Sequence, residues 1–166
     1  ASDVYKRQQY ARKSLIGNAY NIEGLKMLYM ASDCLSEDAE AVLSAIENCD
    51  PLNDFVRFER YWADPDEKNR TAFQSLIRNE MAVQNYLELA IWYYSIGQVG
   101  RAEKVLSMSP GDAETAYWRA YLSQDRELLE KADVSDVSFV FPFREESVPV
   151  FEWAMKESGN WRSAYL

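Results

Sequence analysis

Apolar side chains recur along most of the chain at the three- and four-residue spacing of an amphipathic helix. The clearest stretch combines large residues, small residues and one glycine in a fixed order: Tyr86, Leu89, Ala90, Tyr93, Gly97, Ala102 and Leu106. Large residues at i, i+3, i+4 and i+7 form the buried stripe of a helix. A glycine between two such stretches favours a turn. This segment therefore predicts two helices joined at Gly97.

Further helix pairs are predicted on both sides of that segment. One unit covers residues 20–49, with an N-cap at Ser36 and an end at Asp50, because the residue before a proline is pushed out of the α region. The other units cover residues 52–79, 83–109 and 112–132. Ser109-Pro110-Gly111-Asp112 supplies both a stop and a new N-cap. We also predict a helix over residues 145–158 and a truncated helix over residues 160–166.

Residues 133–144 depart from helical spacing. The β-branched and aromatic run at 137–143 has the composition of a strand, but Pro142 has no amide hydrogen for a sheet ladder and confines such a strand to an edge. We interpret residues 133–144 as a linker packed along the helices. Arg144, directly after this run, is a candidate anchor for it.

The order of residues from Tyr86 to Leu106 resembles the tetratricopeptide repeat, a helix-turn-helix unit of about 34 residues. The resemblance implies an all-α fold in which antiparallel helix pairs stack into a right-handed superhelix, because each repeat buries its apolar face only against its neighbours. Four short stretches also resemble the repeat region of large bacterial proteins with an N-terminal mutarotase-like β-sandwich domain: residues 57–61, 86–90, 117–122 and 139–144. Any carbohydrate chemistry of that family would lie outside this chain.

Partner binding in such an array is expected at helix positions that the core pattern leaves free. We predict these candidate partner-binding residues: Asn53, Arg57, Arg60, Gln84, Leu87, Ile91 and Tyr94. The resemblance implies a protein or peptide partner, or another domain of the same chain. The positions in residues 83–109 lack the lysine and asparagine set with which chaperone-docking repeats hold a C-terminal carboxylate.

Alternatives remain for each of these candidates. Arg57 and Arg60 lie three residues apart and share a helix face, where they could hold an acidic group of a partner or pair with Glu59, Asp64 or Glu88. The aromatic residues around Tyr94 could line a groove or contact a glycan, whereas helical spacing predicts core positions for Tyr86, Tyr93 and Trp118. The chain could thus be an interaction scaffold, the accessory repeat region of a carbohydrate-active bacterial protein, or a structural spacer.

Composition narrows the function classes. The formal charge is −9, and no basic run is longer than two residues, which argues against nucleic acid or an anionic membrane as a partner. The chain has no histidine, the commonest general base, and contains none of the usual nucleophile, metal or phosphate-binding motifs. We expect no catalytic activity and no cofactor. Cys34 and Cys49 are too few ligands for a structural zinc site. A disulfide between them is left as an alternative.

The two ends of the chain call for separate interpretation. Residues 1–8 look like an in-frame translation of a transposase sequencing adapter, so we take residues 9–166 as the native array, cut at both ends. The true N-terminus would then be missing, and a soluble protein of the cytoplasm or periplasm is expected without a choice between them. The cut C-terminal helix leaves Trp161, Tyr165 and Leu166 without a covering helix. We therefore expect the chain to associate at high concentration.

Overall fold

The structure, a computed structural model, describes residues 2–32, 37–77 and 82–166. Within these ranges every regular element is helical, which confirms the predicted all-α class. The chain divides into two compact units, Ala1–Leu76 and Ile77–Leu166. None of the described helices is both long enough and apolar enough to cross a lipid bilayer.

Within its described residues, the first unit contains five helices: α1 (Ser2–Gly17), α2 (Ile22–Met30), α3 (Glu37–Cys49), α4 (Asp54–Ala63) and α5 (Glu67–Leu76). Its core forms where aromatic rings of neighbouring helices meet edge to face. The rings of Tyr29 and Phe55 lie 5.7 Å apart between α2 and α4, and those of Phe58 and Phe73 lie 5.4 Å apart between α4 and α5. Such contacts stabilise helix packing beyond the burial of the rings.

Helix α1 is an element that the apolar pattern does not predict. Its described side chains are mostly exposed, including Tyr10 and Ile16, and Ala11 is the buried one among them. The contact with α2 passes through Gly24, where an added Cβ would lie 2.6 Å from the Ser14 hydroxyl oxygen. A glycine at this point therefore allows the two helices to approach closely, which a periodicity argument does not detect.

The described part of the second unit contains six helices and a short turn: α6 (Ala82–Ser95), α7 (Val99–Ser107), α8 (Ala113–Ser123), α9 (Arg126–Ala132), a 3₁₀ turn (Glu145–Ser147), α10 (Val148–Ser158) and α11 (Trp161–Tyr165). Three consecutive pairs pack together, namely α6 with α7, α8 with α9, and α10 with α11. The turn predicted between α6 and α7 is confirmed, and Gly97 adopts the left-handed φ of +78° there. Tyr86, Tyr93 and Trp118 are buried, as their spacing predicts.

Local capping explains where α8 begins. The Asp112 side chain accepts a hydrogen bond of 2.9 Å from the Thr115 amide, and the Thr115 hydroxyl accepts one of 2.9 Å from the Asp112 amide. These reciprocal bonds satisfy two amide groups that have no partner inside the helix. Gly111 precedes them with a left-handed φ of +85°. The stop and N-cap predicted at residues 109–112 are thus both present.

The segment between α9 and α10 corrects one prediction. It contains no strand, but its phenylalanines do not pack along the helices either, since Phe139, Phe141 and Phe143 are all strongly exposed. The segment is attached near its end instead, where Arg144 pairs with Glu88 of α6 at 3.2 Å. The physical reason is that polar contacts at the end fix the linker without requiring burial of its aromatic side chains.

Candidate functional site

Helices α6, α8 and α10 lie side by side in the same direction. Near the start of α6, the Gln84 side-chain amide donates a hydrogen bond to Glu114 at the start of α8. Near their ends, Tyr94 contacts Tyr121. Contacts between α8 and α10 follow the same order, first Tyr117 with Phe151 and then Tyr121 with Trp153. The first helices of three consecutive pairs therefore form one layer.

Three partly exposed aromatic rings cross this layer, one from each helix. Tyr94 of α6 meets Tyr121 of α8 with 6.1 Å between ring centroids, and Tyr121 meets Trp153 of α10 at 5.6 Å. Both contacts are edge to face. Tyr94 is 36% exposed, and Tyr121 and Trp153 are also partly accessible. We call Tyr94, Tyr121 and Trp153 the aromatic row.

A buried indole packs against two rings of the aromatic row. The ring of Trp118 is fully buried and lies 5.6 Å from that of Tyr94 and 6.1 Å from that of Tyr121. Its position fixes the two tyrosine rings, because each packs against the same rigid surface. The exposed rings of Tyr94 and Tyr121 are therefore held in a fixed arrangement.

The row carries two hydroxyl groups at its α6–α8 end. The hydroxyl oxygens of Tyr94 and Tyr121 lie 3.2 Å apart, within hydrogen-bond distance. This hydrogen bond, together with partial burial, raises the pKa of Tyr94 above its ordinary value. The phenol thus stays neutral at physiological pH. The row combines apolar ring surface with hydroxyl groups that can donate or accept a hydrogen bond.

A polar network is buried beside Trp118. The Ser147 hydroxyl donates to the Glu114 carboxylate at 2.6 Å and accepts from the Trp118 indole N–H at 2.9 Å. Gln84 donates to the other Glu114 oxygen at 3.3 Å. Burial raises the pKa of Glu114, although the bonds from Ser147 and Gln84 oppose that shift. This network joins α6, α8 and the 3₁₀ turn, and so fixes the start of α10 relative to α8.

Two of the predicted binding residues, Leu87 and Ile91, are buried, although the prediction requires them to be exposed. Leu87 is completely buried, and Ile91 retains only 8% of its accessible surface. Neither side chain is open to a partner, so their assignment to a free surface is corrected. The reason is that apolar residues are buried around most of α6, not along one stripe. Gln84 is partly buried in the network with Glu114, whereas Tyr94 is exposed in the aromatic row.

The remaining predicted residues lie in the first unit. Arg57 pairs with Glu47 at 2.7 Å, while Arg60 pairs with Glu47 at 3.0 Å and Glu40 at 2.8 Å. These carboxylates belong to α3 and differ from the partners that the sequence suggested. Asn53 precedes α4, and its side-chain amide donates to Asp50 at 3.0 Å. All three side chains thus have structural roles at the junction of α3 and α4.

The described residues hold no cluster of three or more metal-ligating side chains. Cys49 is partly buried at the end of α3. Cys34 lies outside the described residues, so the structure does not test the disulfide between the two cysteines. The arrangement of α6, α8 and α10 instead offers a fixed apolar and hydrogen-bonding surface suited to recognition.

Tyr121 and Trp153 are the site residues that the predicted set omits. Both lie in apolar helical segments, which favoured core positions for their neighbours. A signal for Tyr121 existed, because Tyr94 and Tyr121 are both tyrosines in the last turn of the first helix of their pairs. Compared with protein-family models, curated proteins and solved structures, the chain matches none.

Proposed function

We propose that this chain is a tetratricopeptide-like repeat module that binds a protein partner through the aromatic row. The partner is an extended peptide or another domain of the same protein, and the module itself is non-catalytic. The observation that carries the proposal is the alignment of Tyr94, Tyr121 and Trp153 across α6, α8 and α10, the first helices of three consecutive pairs. In a right-handed repeat superhelix, the first helices of the pairs would line the concave surface.

The chemistry of the row fits protein recognition. Tyrosine and tryptophan dominate binding hot spots, because they offer large rigid surfaces together with a polar group. Tyr94 and Tyr121 supply two hydroxyls, and Trp153 supplies an indole. A peptide in an extended conformation would gain apolar contacts from the rings and hydrogen bonds from the hydroxyls.

The geometry of the rings favours a peptide over a sugar. Sugar rings stack on open aromatic faces, but here successive rings meet edge to face at 71° and 72°. The edge of one ring therefore covers part of the face of the next. A carbohydrate-associated role remains an outcome of the test and is not the function proposed.

The test is selection of random linear peptides displayed on phage against the wild-type chain. Affinities of the enriched peptides are then measured for Tyr94→Ala and Trp153→Ala. We expect each substitution to weaken binding at least about tenfold, since loss of a hot-spot aromatic costs more than 1.4 kcal/mol. Tyr165→Ala is the matched control, because Tyr165 is an exposed tyrosine of the same unit outside the row.

Three results would overturn the proposal. The selection could enrich no peptide, or the enriched peptides could bind the row variants as tightly as the wild type. A glycan array probed with the same proteins could also show binding that needs Trp153, which would favour the carbohydrate alternative. Circular dichroism and urea unfolding of each variant verify that a loss of binding is not a loss of fold.

A further inference from the structure

The segment between α9 and α10 exposes three phenylalanines in five residues. Phe139, Phe141 and Phe143 are 92%, 72% and 68% exposed. The other phenylalanines of the chain are buried in the helical cores: Phe55, Phe58, Phe73 and Phe151. Contiguous exposed apolar surface is unfavourable in water and marks interaction sites. We call residues 139–143 the phenylalanine segment.

Local turns restrain the start of the phenylalanine segment, and an ion pair follows its end. At the start, the Asp136 carboxylate accepts a hydrogen bond of 2.9 Å from the Ser138 amide, and the Val140 amide donates to the Val137 carbonyl at 3.3 Å. After it, Arg144 pairs with Glu88 at 3.2 Å. These contacts restrict the backbone on either side of the exposed rings. A segment restrained in this way loses less conformational entropy when a partner binds.

Phe139 also has an unusual backbone conformation. Its φ of +61° lies in the left-handed region, which bulky side chains rarely adopt. Such a conformation persists only where neighbouring interactions hold it, and it occurs preferentially at ligand-binding and switch regions. Here it coincides with the most exposed of the three rings.

The exposed charged side chains beside the segment are carboxylates. Asp136 precedes it, Glu145 and Glu146 follow it, and all three side chains are exposed. Hydrogen bonding to Ser138 lowers the pKa of Asp136, which keeps this carboxylate charged. Two partly buried cations lie near these carboxylates: Arg144 is paired with Glu88 and lies 5.0 Å from the Phe143 ring, and Arg162, which donates to the Asp133 carbonyl, also lowers the pKa of Asp136. An incoming partner therefore meets apolar rings between carboxylates.

We propose that the phenylalanine segment is a second docking surface, which binds a protein segment that alternates apolar residues with lysine or arginine. The apolar residues of the partner would cover the three rings, and its cations would pair with Asp136, Glu145 and Glu146. The carboxylates select a cationic partner over an acidic one, because like charges facing each other across an interface are strongly unfavourable. This surface is distinct from the aromatic row and does not depend on its function.

The test uses three synthetic peptides, in which leucine alternates with lysine, leucine with glutamate, or serine with lysine. Affinities for the wild-type chain are measured by fluorescence anisotropy at low and high salt. We expect the leucine–lysine peptide to bind at least about tenfold more tightly than either of the others. Its affinity should fall as salt is raised, because the ion pairs are exposed.

Variants locate the binding. The triple substitution Phe139→Ser, Phe141→Ser and Phe143→Ser should reduce affinity for the leucine–lysine peptide at least about tenfold, and Glu145→Lys with Glu146→Lys should also weaken it. Val134→Ser is the matched control, since Val134 is an exposed apolar residue outside the segment. The peptides selected for the aromatic row should bind the triple variant as tightly as the wild type, so that failure of this proposal and failure of the aromatic-row proposal can be told apart.

Four outcomes would overturn the proposal. The serine–lysine peptide could bind as tightly as the leucine–lysine peptide, which would indicate charge alone. The triple variant could retain wild-type affinity, which would place binding elsewhere. Sedimentation could show self-association that the triple variant abolishes, which would make a second copy the partner. Binding to phosphatidylcholine vesicles that requires the phenylalanines would instead indicate a lipid surface.

Discussion

The Ser147 hydroxyl donates a hydrogen bond of 2.6 Å to the buried carboxylate of Glu114. The two residues are 33 positions apart, and the bond joins the 3₁₀ turn to the start of α8. The same hydroxyl accepts the indole N–H of Trp118. Ser147 therefore satisfies two buried groups at once. Its contacts connect the end of the linker to the residues that support the aromatic row.

Ser147→Ala tests how much this connection stabilises the fold. The substitution leaves the Trp118 N–H without its acceptor and removes one donor from Glu114, and both groups are buried. We expect the free energy of unfolding to fall by about 2 kcal/mol, within the range for buried groups that lose a partner. Urea unfolding monitored by circular dichroism measures the change.

The control for this experiment is Ser107→Ala. Ser107 is exposed, and among the residues that the structure describes its hydroxyl bonds only to the Lys104 carbonyl of its own helix. Its loss should change the unfolding free energy by less than about 0.5 kcal/mol, as for most surface substitutions. Equal effects of the two alanine substitutions would show that the buried serine contributes no special stability.

Glu114→Gln tests the pH dependence of the same network. Burial raises the pKa of Glu114 in the folded protein, so the folded state binds a proton that the unfolded chain, with a carboxyl pKa of about 4.3, has already lost. The stabilisation from this proton is complete below that value and is lost as pH rises through the folded-state pKa. The unfolding free energy of the wild type minus that of Glu114→Gln should therefore decrease with rising pH.

Urea unfolding at a series of pH values from about 4 to 7, spanning the ordinary carboxyl value and neutrality, measures this difference. Glu130→Gln controls for the removal of one negative charge, because Glu130 is exposed on α9. If the difference for Glu114→Gln increased with pH instead, the ionised carboxylate would be stabilised by its donors more than burial destabilises it.

Sequence reasoning succeeded where local rules decide the structure. The turn at Gly97 and the caps at residues 109–112 follow from backbone preferences within a few residues. The burial of Tyr93 and Trp118 follows from helical spacing. Leu87 was wrongly assigned to a free surface, because the sequence of one helix does not show how many other helices pack around it. Phe139 was wrongly expected to pack along the helices, because composition alone does not show whether the side chains of an apolar linker are buried.

Gly97→Ala tests the turn that the sequence predicted best. Gly97 has φ of +78°, and an added Cβ would meet no atom within 4 Å. The cost is therefore conformational and not steric, and we expect a loss of about 1 kcal/mol in unfolding free energy. Gly97→Asn should cost less, because asparagine tolerates the left-handed region better than alanine does. Thermal and urea unfolding of the two variants provide the comparison, and equal stability of all three proteins would contradict it.

Tyr117→Phe and Tyr94→Phe compare a buried hydroxyl with an exposed one. The Tyr117 hydroxyl donates to the buried Asp133 carboxylate at 2.8 Å, whereas that of Tyr94 contacts only the exposed Tyr121 hydroxyl among the described hydrogen bonds. We expect Tyr117→Phe to lower the unfolding free energy by about 1.5–3 kcal/mol, the range for hydrogen bonds to charged groups. Tyr94→Phe should lower it by less than about 0.5 kcal/mol.

The difference between wild type and Tyr117→Phe should also persist into alkaline solution. Burial, together with the hydrogen bond to Asp133, raises the pKa of Tyr117. The stabilisation is therefore complete below the unfolded tyrosine pKa of about 10 and is lost only as pH rises through the folded-state value. Urea unfolding from neutral pH to about pH 10 measures it. Similar losses for both phenylalanine variants, or a difference that vanishes near neutral pH, would show that Asp133 is not held by this phenol.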